Sequence, residues 1–543
     1  MRKLLFTALV CCVAGSVLAQ DYSNTAEQAN RLNALVKAYP QSASLKSLTK
    51  TNGGKDIWLL TIGSGKTENK PAIAVIGGVE GNHLLGTELA IGFAEQLLKA
   101  SGTDSIKNLL SRTTYYVFPN MSPDAMEQYF SKLRNGRTGN ATATDDDRDG
   151  KTDEDRWDDL DGDGKITFLR VESVTGDYKV HPDDARVLIK ADISKGEKGK
   201  YKLLTEGIDN DKDGQFNEDG EGGIAFNKNL TYNHKTFTSG AGDYPASEKE
   251  TRAMLDFLYD AFNVYAVVSF GTNNNLSNPI PYNPQAAAQR IVAGLLEPDA
   301  KVNGMVSDLY NKVTGTKDAT RNNVTGGDVL SWGYFHYGRY SFSTPGWWVP
   351  KTRPDTAKKE KAFTVEDVNA NYLRWATQQG ITNTFTEWKT IQHPDFPGQK
   401  VEVGGIDPYV MMNPPYKMVE PVVKKHTEFL VKLATHQPEI GIENLKTEKL
   451  ANGLTRVSLD LINKGGLSTH SKLGERSYFI KKIKVAVQTS GKQEVVGGRK
   501  IHLLNSIDAN GSESFSWVIK GTGKLVIEAG CPTAGNTSIE VNL

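Results

Sequence analysis

Hydrophobic and polar positions along this chain fall into three textures. Up to about residue 436, short runs rich in apolar, β-branched and aromatic residues recur between longer amphipathic stretches. Residues 59–62, Ala72–Ile76, Thr114–Phe118, Val264–Phe270 and Tyr340–Thr344 are each too short for a helix and read as buried strands. Residues 82–100 set Leu84, Leu85, Leu89, Phe93 and Leu97 on one face, which predicts a helix. Residues 419–435 predict a second amphipathic helix, and 20–39 a polar, helix-like lead-in. Ser247 and Glu250 are spaced as a capping box for a helix from about Glu248. Strands alternating with helices predict an α/β class. From about 439 to 543 the texture changes: alternating runs at 455–461, 483–487 and 524–529, separated by Gly, Asn and Ser turns, predict a small antiparallel β-sandwich.

The third texture lies between these two. Residues 145–223 form an acidic insertion, with eleven acids against three bases between Asp145 and Asp163 alone. A solvated, unstructured charge run would carry no spacing, yet D-x-D-x-D-G occurs three times. Asp145, Asp147 and Asp149 precede Gly150; Asp159, Asp161 and Asp163 precede Gly164; Asp209, Asp211 and Asp213 precede Gly214. Alternate carboxylates converging on one hard cation, with glycine at the sharp turn, form the first half of a calcium loop. Asp153, Thr167 and Asn217 supply ninth-position oxygens. Arg156, Arg170 and Gly220 stand where a bidentate Glu is expected, so Asp155, Glu218 or Asp219 would have to substitute. The expected role is structural calcium.

Composition narrows the class. At 543 residues, 38% hydrophobic and 24% charged, the chain is long enough for more than one folded unit. Lys plus Arg equals Asp plus Glu at 64 each, so no global field favours nucleic acid or anionic lipid. Arg2 and Lys3 precede an apolar stretch, 4–13, and Val17-Leu18-Ala19 makes a small-residue cleavage pattern. That predicts a signal peptide, 1–19, no membrane span, and a secreted or periplasmic mature chain. Removal of Cys11 and Cys12 would leave Cys531, in a structural setting beside Gly530 and Pro532, with no intramolecular disulfide.

Candidate chemistry begins where the 72–76 run gives way to the following helix. Glu80 and His83 sit in the turn at the carboxyl end of a central strand, where open α/β sheets bind ligands. Glu80-Gly81-Asn82-His83 resembles the His-x-x-Glu turn of the zinc carboxypeptidase (carboxypeptidase A-like) family, with the two metal ligands exchanged. Ser122-Pro123-Asp124-Ala125 is similar to that family's Asn-Pro-Asp-Gly turn. Asn227-Lys228 resembles its Asn-Arg pair, which holds the substrate's terminal carboxylate, and Ser247-Glu248 its Ser-Glu before the same helix. The stretch 393–405 resembles the domain end of secreted bacterial members. The resemblance covers roughly 20–436. It implies a mixed central sheet with helices on both faces, a zinc ion with three protein ligands and one open position, and a carboxylate general base.

The chemical positions depart from that pattern. With Glu80 and His83 exchanged, either a metal is held in altered geometry or the two residues pair in an emptied site. Phe270 stands at the family's third ligand, and Pro345, after Phe342-Ser343-Thr344, at its general base. Lys228 keeps the anchor's charge without the planar fork of arginine. His234 and Asn273 are further candidate donors, Arg134 and Arg137 lie in a region where members carry a basic cluster, and Glu387 imitates the base motif after an intervening helix. A general base contributes roughly 10² to 10⁴ in rate. Its loss together with a ligand predicts a degenerate homologue without a complete zinc site. The cleft would keep Glu80, His83, Asn227, Lys228, Asn273, Trp347 and Trp348 for a peptide or glycan, the two tryptophans serving as ligand contacts or as core. An active metallopeptidase with a rearranged zinc site, and an adhesion or interaction protein working through the sandwich, remain open on the sequence.

Overall fold

A computed structural model describes residues 21–145, 150–152, 155–212, 214, 216–217, 223–317, 319, 326–352 and 365–543, with the side chains of 365–367 left aside. The predicted signal peptide, 1–19, lies outside the described residues. A six-stranded sheet runs in the order Ala43–Lys50, Asp56–Ile62, Thr114–Phe118, Ala72–Ile76, Val264–Phe270, Tyr340–Thr344. The last four strands are mutually parallel and the first two antiparallel, so the sheet is mixed.

Helices cover both faces, and the period of two along each strand decides which side chain goes where. Ile73, Val75 and Val268 pack with Leu84, Leu89, Phe93, Phe429 and Leu433, from helices Leu84–Lys99 and Val419–Ala434. Ala72, Ala74, Ile76 and Val267 pack with Met254, Leu258 and Trp332, from helices Lys249–Asp260 and Val329–Phe335. The expected capping box does not form. Glu248 is the N-cap and makes no side-chain cap bond. Glu250 Oε1 instead accepts from Asn140 Nδ2 at 2.7 Å, and Ser247 Oγ donates to Glu248 Oε1 at 2.9 Å.

The acidic insertion folds into a second sheet, ordered Phe385–Ile391, Val401–Ile406, Phe168–Glu172, Tyr201–Thr205, Tyr178–Val180, Leu188–Lys190. Val401 and Val403 arrive from far along the chain to bury Leu169 and Val171, giving the insertion a small apolar core of its own. Beyond residue 440, two four-stranded antiparallel sheets enclose Val457, Leu461, Val485, Trp517 and Ile527, and Cys531 is buried among them. Among the described residues no helix is long and apolar enough to cross a membrane.

Candidate functional site

The carboxyl ends of the parallel strands bring Glu80, Asn227 and Asn273 together. Gly77 and Gly78 let the chain turn tightly out of Ala72–Ile76; Gly78 has φ +57°, and a Cβ there would lie 2.7 Å from Thr87 Oγ1. Glu80 follows and remains partly exposed. Its Oε1 accepts from Asn227 Nδ2 at 2.6 Å and from Thr272 Oγ1 at 2.8 Å, with the Thr272 amide 3.3 Å from both carboxylate oxygens. Burial pushes the Glu80 carboxyl above its ordinary range, with Asp328 adding repulsion, while the bonds from Thr272 and Asn227 oppose the shift.

His83 turns elsewhere. The ring is buried, and Nε2 lies 3.1 Å from the carbonyl oxygen of Pro345, the residue at the expected base position. Burial lowers the imidazole to about 4, against the pull of the Pro345 and Phe270 carbonyls. Glu80 and His83 therefore do not pair with each other through their side chains.

One expectation shifts by a residue. The Phe270 ring is buried in the core, edge-on to His426 with centroids 5.8 Å apart, so it does not face the cleft. The strand-end position that meets Glu80 is Gly271, where a Cβ would lie 2.6 Å from Glu80 Oε2. The side chains present fall short of the three protein ligands of a catalytic zinc: Glu80 is held by an amide and a hydroxyl, His83 Nε2 meets a carbonyl while its Nδ1 has no partner among the described residues, and Gly271 offers no side chain.

The remaining cleft candidates divide. Asn227 and Asn273 adjoin, 3.3 Å apart between Nδ2 and Oδ1, and Asn227 Oδ1 also accepts from the Val329 amide at 2.9 Å. Lys228 Nζ donates to the Ser239 carbonyl at 3.0 Å. Trp347 packs on Trp375 with centroids 5.5 Å apart, and Trp348 Nε1 donates to the Lys317 carbonyl at 2.8 Å. His234 Nε2 lies 2.9 Å from the Ala241 carbonyl oxygen, Arg134 stacks on Tyr129, and Arg137 donates to the Asn140 carbonyl at 2.6 Å. Glu387 belongs to the second sheet rather than the central one.

The acidic loops form a separate polar centre. Asp147, Asp149, Asp153 and Asp213 lie outside the described residues. In each repeat the glycine amide donates to the first aspartate: Gly150 to Asp145 at 3.1 Å, Gly164 to Asp159 at 2.8 Å, Gly214 to Asp209 at 3.1 Å. All three glycines have positive φ, +96°, +82° and +93°. Asp163 Oδ2 accepts from Thr386 Oγ1 at 3.1 Å. Asp159, Asp161 and Glu206 bring oxygens within 4.8 Å of one another. Glu206 was missed in the sequence because it belongs to neither half of that loop. The available signal was an acid shortly before the third D-x-D-x-D-G. Asp211 and Asn217 lie in the third loop, with Asn217 at φ +59°.

A family model described as zinc carboxypeptidase matches residues 29–344, and one for a domain of unknown function (DUF8731) matches 439–542. Carboxypeptidase D of Homo sapiens is 30% identical over 122 residues, 22% of this chain and 9% of that protein. A zinc carboxypeptidase of Saccharothrix mutabilis subsp. capreolus is 27% identical over 134 residues, 23% of this chain and 31% of that protein. The chain thus spans less than a third of either relative. Among solved structures, thrombin activatable fibrinolysis inhibitor aligns over 77% of this chain and 74% of its own, at 12% identity and a TM-score of 0.43.

Proposed function

The chain belongs to the zinc carboxypeptidase family, and from that premise we propose a secreted or periplasmic, catalytically degenerate member that binds a peptide or glycan in the former active-site cleft. The observation that carries this reading is the Glu80 carboxylate, held by Asn227 and Thr272 in the space a side chain on Gly271 would use. With Pro345 at the base position, the strand ends offer hydrogen-bonding groups and no acid–base pair at a reactive centre. A partly exposed carboxylate beside amides and a hydroxyl suits ligands rich in N–H and O–H donors. We further propose that the acidic loops bind structural calcium, supported by the repeated glycine-to-aspartate bonds and by the Asp159, Asp161 and Glu206 cluster.

The test is metal analysis by mass spectrometry on the purified mature chain, with a C-terminal peptide hydrolysis assay and calorimetric titration of peptides and oligosaccharides. Calcium without stoichiometric zinc, no hydrolysis, and saturable binding that E80A abolishes are expected. Zinc near one per chain with chelator-sensitive release of C-terminal residues would overturn the reading in favour of an active peptidase.

A further inference from the structure

The second and third acidic loops exchange carboxylates. Glu206 stands just before the third loop, yet its carboxylate serves the second: Oε1 accepts from the Leu160 amide at 2.9 Å, and Oε2 from the Thr167 amide at 2.7 Å and hydroxyl at 2.9 Å. Asp155 stands just before the second loop, yet serves the third. Its Oδ1 accepts from the Asn210 amide at 3.0 Å, and its Oδ2 from the Asn217 amide. Leu160 and Asn210 are the second residues of their loops, Thr167 and Asn217 the ninth. The two acids therefore make the same bridge across the same positions, each in the other's loop. Both are fully buried, at 0% exposure, and neither forms an ion pair with a described residue.

Two cross-links close the arrangement. Asn217 Nδ2 donates to the Glu206 carbonyl at 2.7 Å, and the Glu206 amide donates to the Thr167 carbonyl at 3.2 Å. The third loop also contains oxygens without partners among the described residues. Asp209 Oδ1 and Asn217 Oδ1 have no hydrogen-bond partner there, and the residues are 9% and 6% exposed. Buried oxygens of that kind cost free energy unless a donor or a cation meets them. The opposite oxygen of Asp209 faces its own loop through Gly214, and the other end of the Asn217 amide is committed to Glu206. Positions one and nine are both ligand positions of such a loop.

Resting on the calcium reading above, we propose that these loops form one coupled two-ion unit. Glu206 joins Asp159 and Asp161 as a ligand in the second loop, and Asp155 is a positioning residue that frames Asp209 and Asn217 in the third. A cation that orders the second loop fixes Glu206, and through its carbonyl Asn217. A cation in the third loop fixes Asn217, and through its amide Asp155, four residues before Asp159. Each ion thereby prepares the other's site, which is positive coupling.

Calcium chloride titrated calorimetrically into the calcium-stripped mature chain tests this, with D161N and D209N each removing an oxygen from one loop. Occupancy of the remaining loop should weaken about 5-fold or more in either variant. E206Q should weaken the second loop roughly 10- to 100-fold and weaken the third as well. If each variant weakens its own loop and leaves the other unchanged, the coupling is refuted while calcium binding stands. If the unaltered chain takes up no calcium at millimolar concentrations, the calcium reading itself falls. Should E206Q not fold, the D161N and D209N pair still decides.

Discussion

The carboxylate of Glu80 occupies the space that a side chain on Gly271 would need, since a Cβ at 271 would lie 2.6 Å from Oε2. The two positions are therefore interdependent, although they sit on different strand ends. Substituting G271A should displace both Glu80 and Val79, whose Cγ2 would lie 2.2 Å from the new Cβ, and cost about 1–3 kcal/mol, measured by urea denaturation. In an E80A background part of that cost should disappear, because the overlap with Oε2 is relieved while Val79 Cγ2, 2.2 Å from the same Cβ, still crowds it. Equal costs in both backgrounds would place the strain elsewhere.

The same relationship says what a zinc site would require. Exchanging Glu80 and His83 restores the family's order but leaves the third ligand missing, and Gly271 rather than Phe270 is the strand-end residue that meets Glu80. E80H with H83E and G271H should bind zinc near one ion per chain by mass spectrometry. The same two exchanges combined with F270H should not, because that side chain lies in the core against His426.

Why the sequence pointed to Phe270 is a matter of register. Side chains on a strand change face with every residue, so an offset of one moves a ligand position from cleft to core. The strands themselves were legible, because Ala72–Ile76 and Val264–Phe270 are buried on both faces and apolar nearly throughout. Spacing nominated Asp159 and Asp161, whose oxygens lie within 4.8 Å of those of Glu206. Glu206 itself was not legible, because its approach depends on Phe168–Glu172 pairing with Tyr201–Thr205. Nor was the loss of the capping box, since the competing partner, Asn140, lies 110 residues from Glu250.

Glu250 gives a pH dependence of definite sign. Its Oε2 is buried without a partner among the described residues, and Asn140 Nδ2 is shared between Glu250 Oε1 and Glu248 Oε2, both at 2.7 Å. Burial raises the carboxyl to about 7. The folded chain then keeps a proton that the unfolded chain releases near pH 4.3, so this group's stabilisation is complete below that pH and lost as pH rises toward 7. E250Q has no proton to lose. Relative to wild type it should gain ~3 kcal/mol between pH 4 and 7, read from urea midpoints across that range. A difference that stays flat with pH would mean that Glu250 is ionised in the folded chain.

His83 contributes the opposite slope. Its imidazole stays neutral down to about 4 in the folded chain, whereas the unfolded chain takes up a proton near pH 6.5. Stability from this group is present above that pH and lost as pH falls through 4. H83Q keeps a donor for the Pro345 carbonyl while removing the titration. Its stability relative to wild type should improve on acidification across this window, and an unchanged difference would mean that His83 protonates freely.

Asp299 is a buried acid that bonds to the segment between two strands of the β-sandwich. Its Oδ1 accepts from the Lys472 amide at 2.7 Å, and its Oδ2 from the Leu473 amide at 3.1 Å and the Tyr334 hydroxyl at 2.7 Å. Nearby, Arg339 Nη2 donates to the Phe479 carbonyl at 3.0 Å, Tyr340 Oη to the His470 carbonyl at 3.1 Å, and Ser471 Oγ to the Gly338 carbonyl at 3.0 Å. Tyr340 begins the strand that ends at the cleft, so the segment 470–479 braces the end of the sheet opposite to that site. D299A would leave the Lys472 and Leu473 amides and the buried Tyr334 hydroxyl without this acceptor, the hydroxyl alone costing about 1–3 kcal/mol. The variant should exchange amide hydrogens faster at 470–476 while Leu525 and Ile527, in the sandwich interior, keep wild-type protection. If protection is lost through the whole sandwich together, the two parts unfold as one cooperative unit and Asp299 is a core residue of both, not a local clasp.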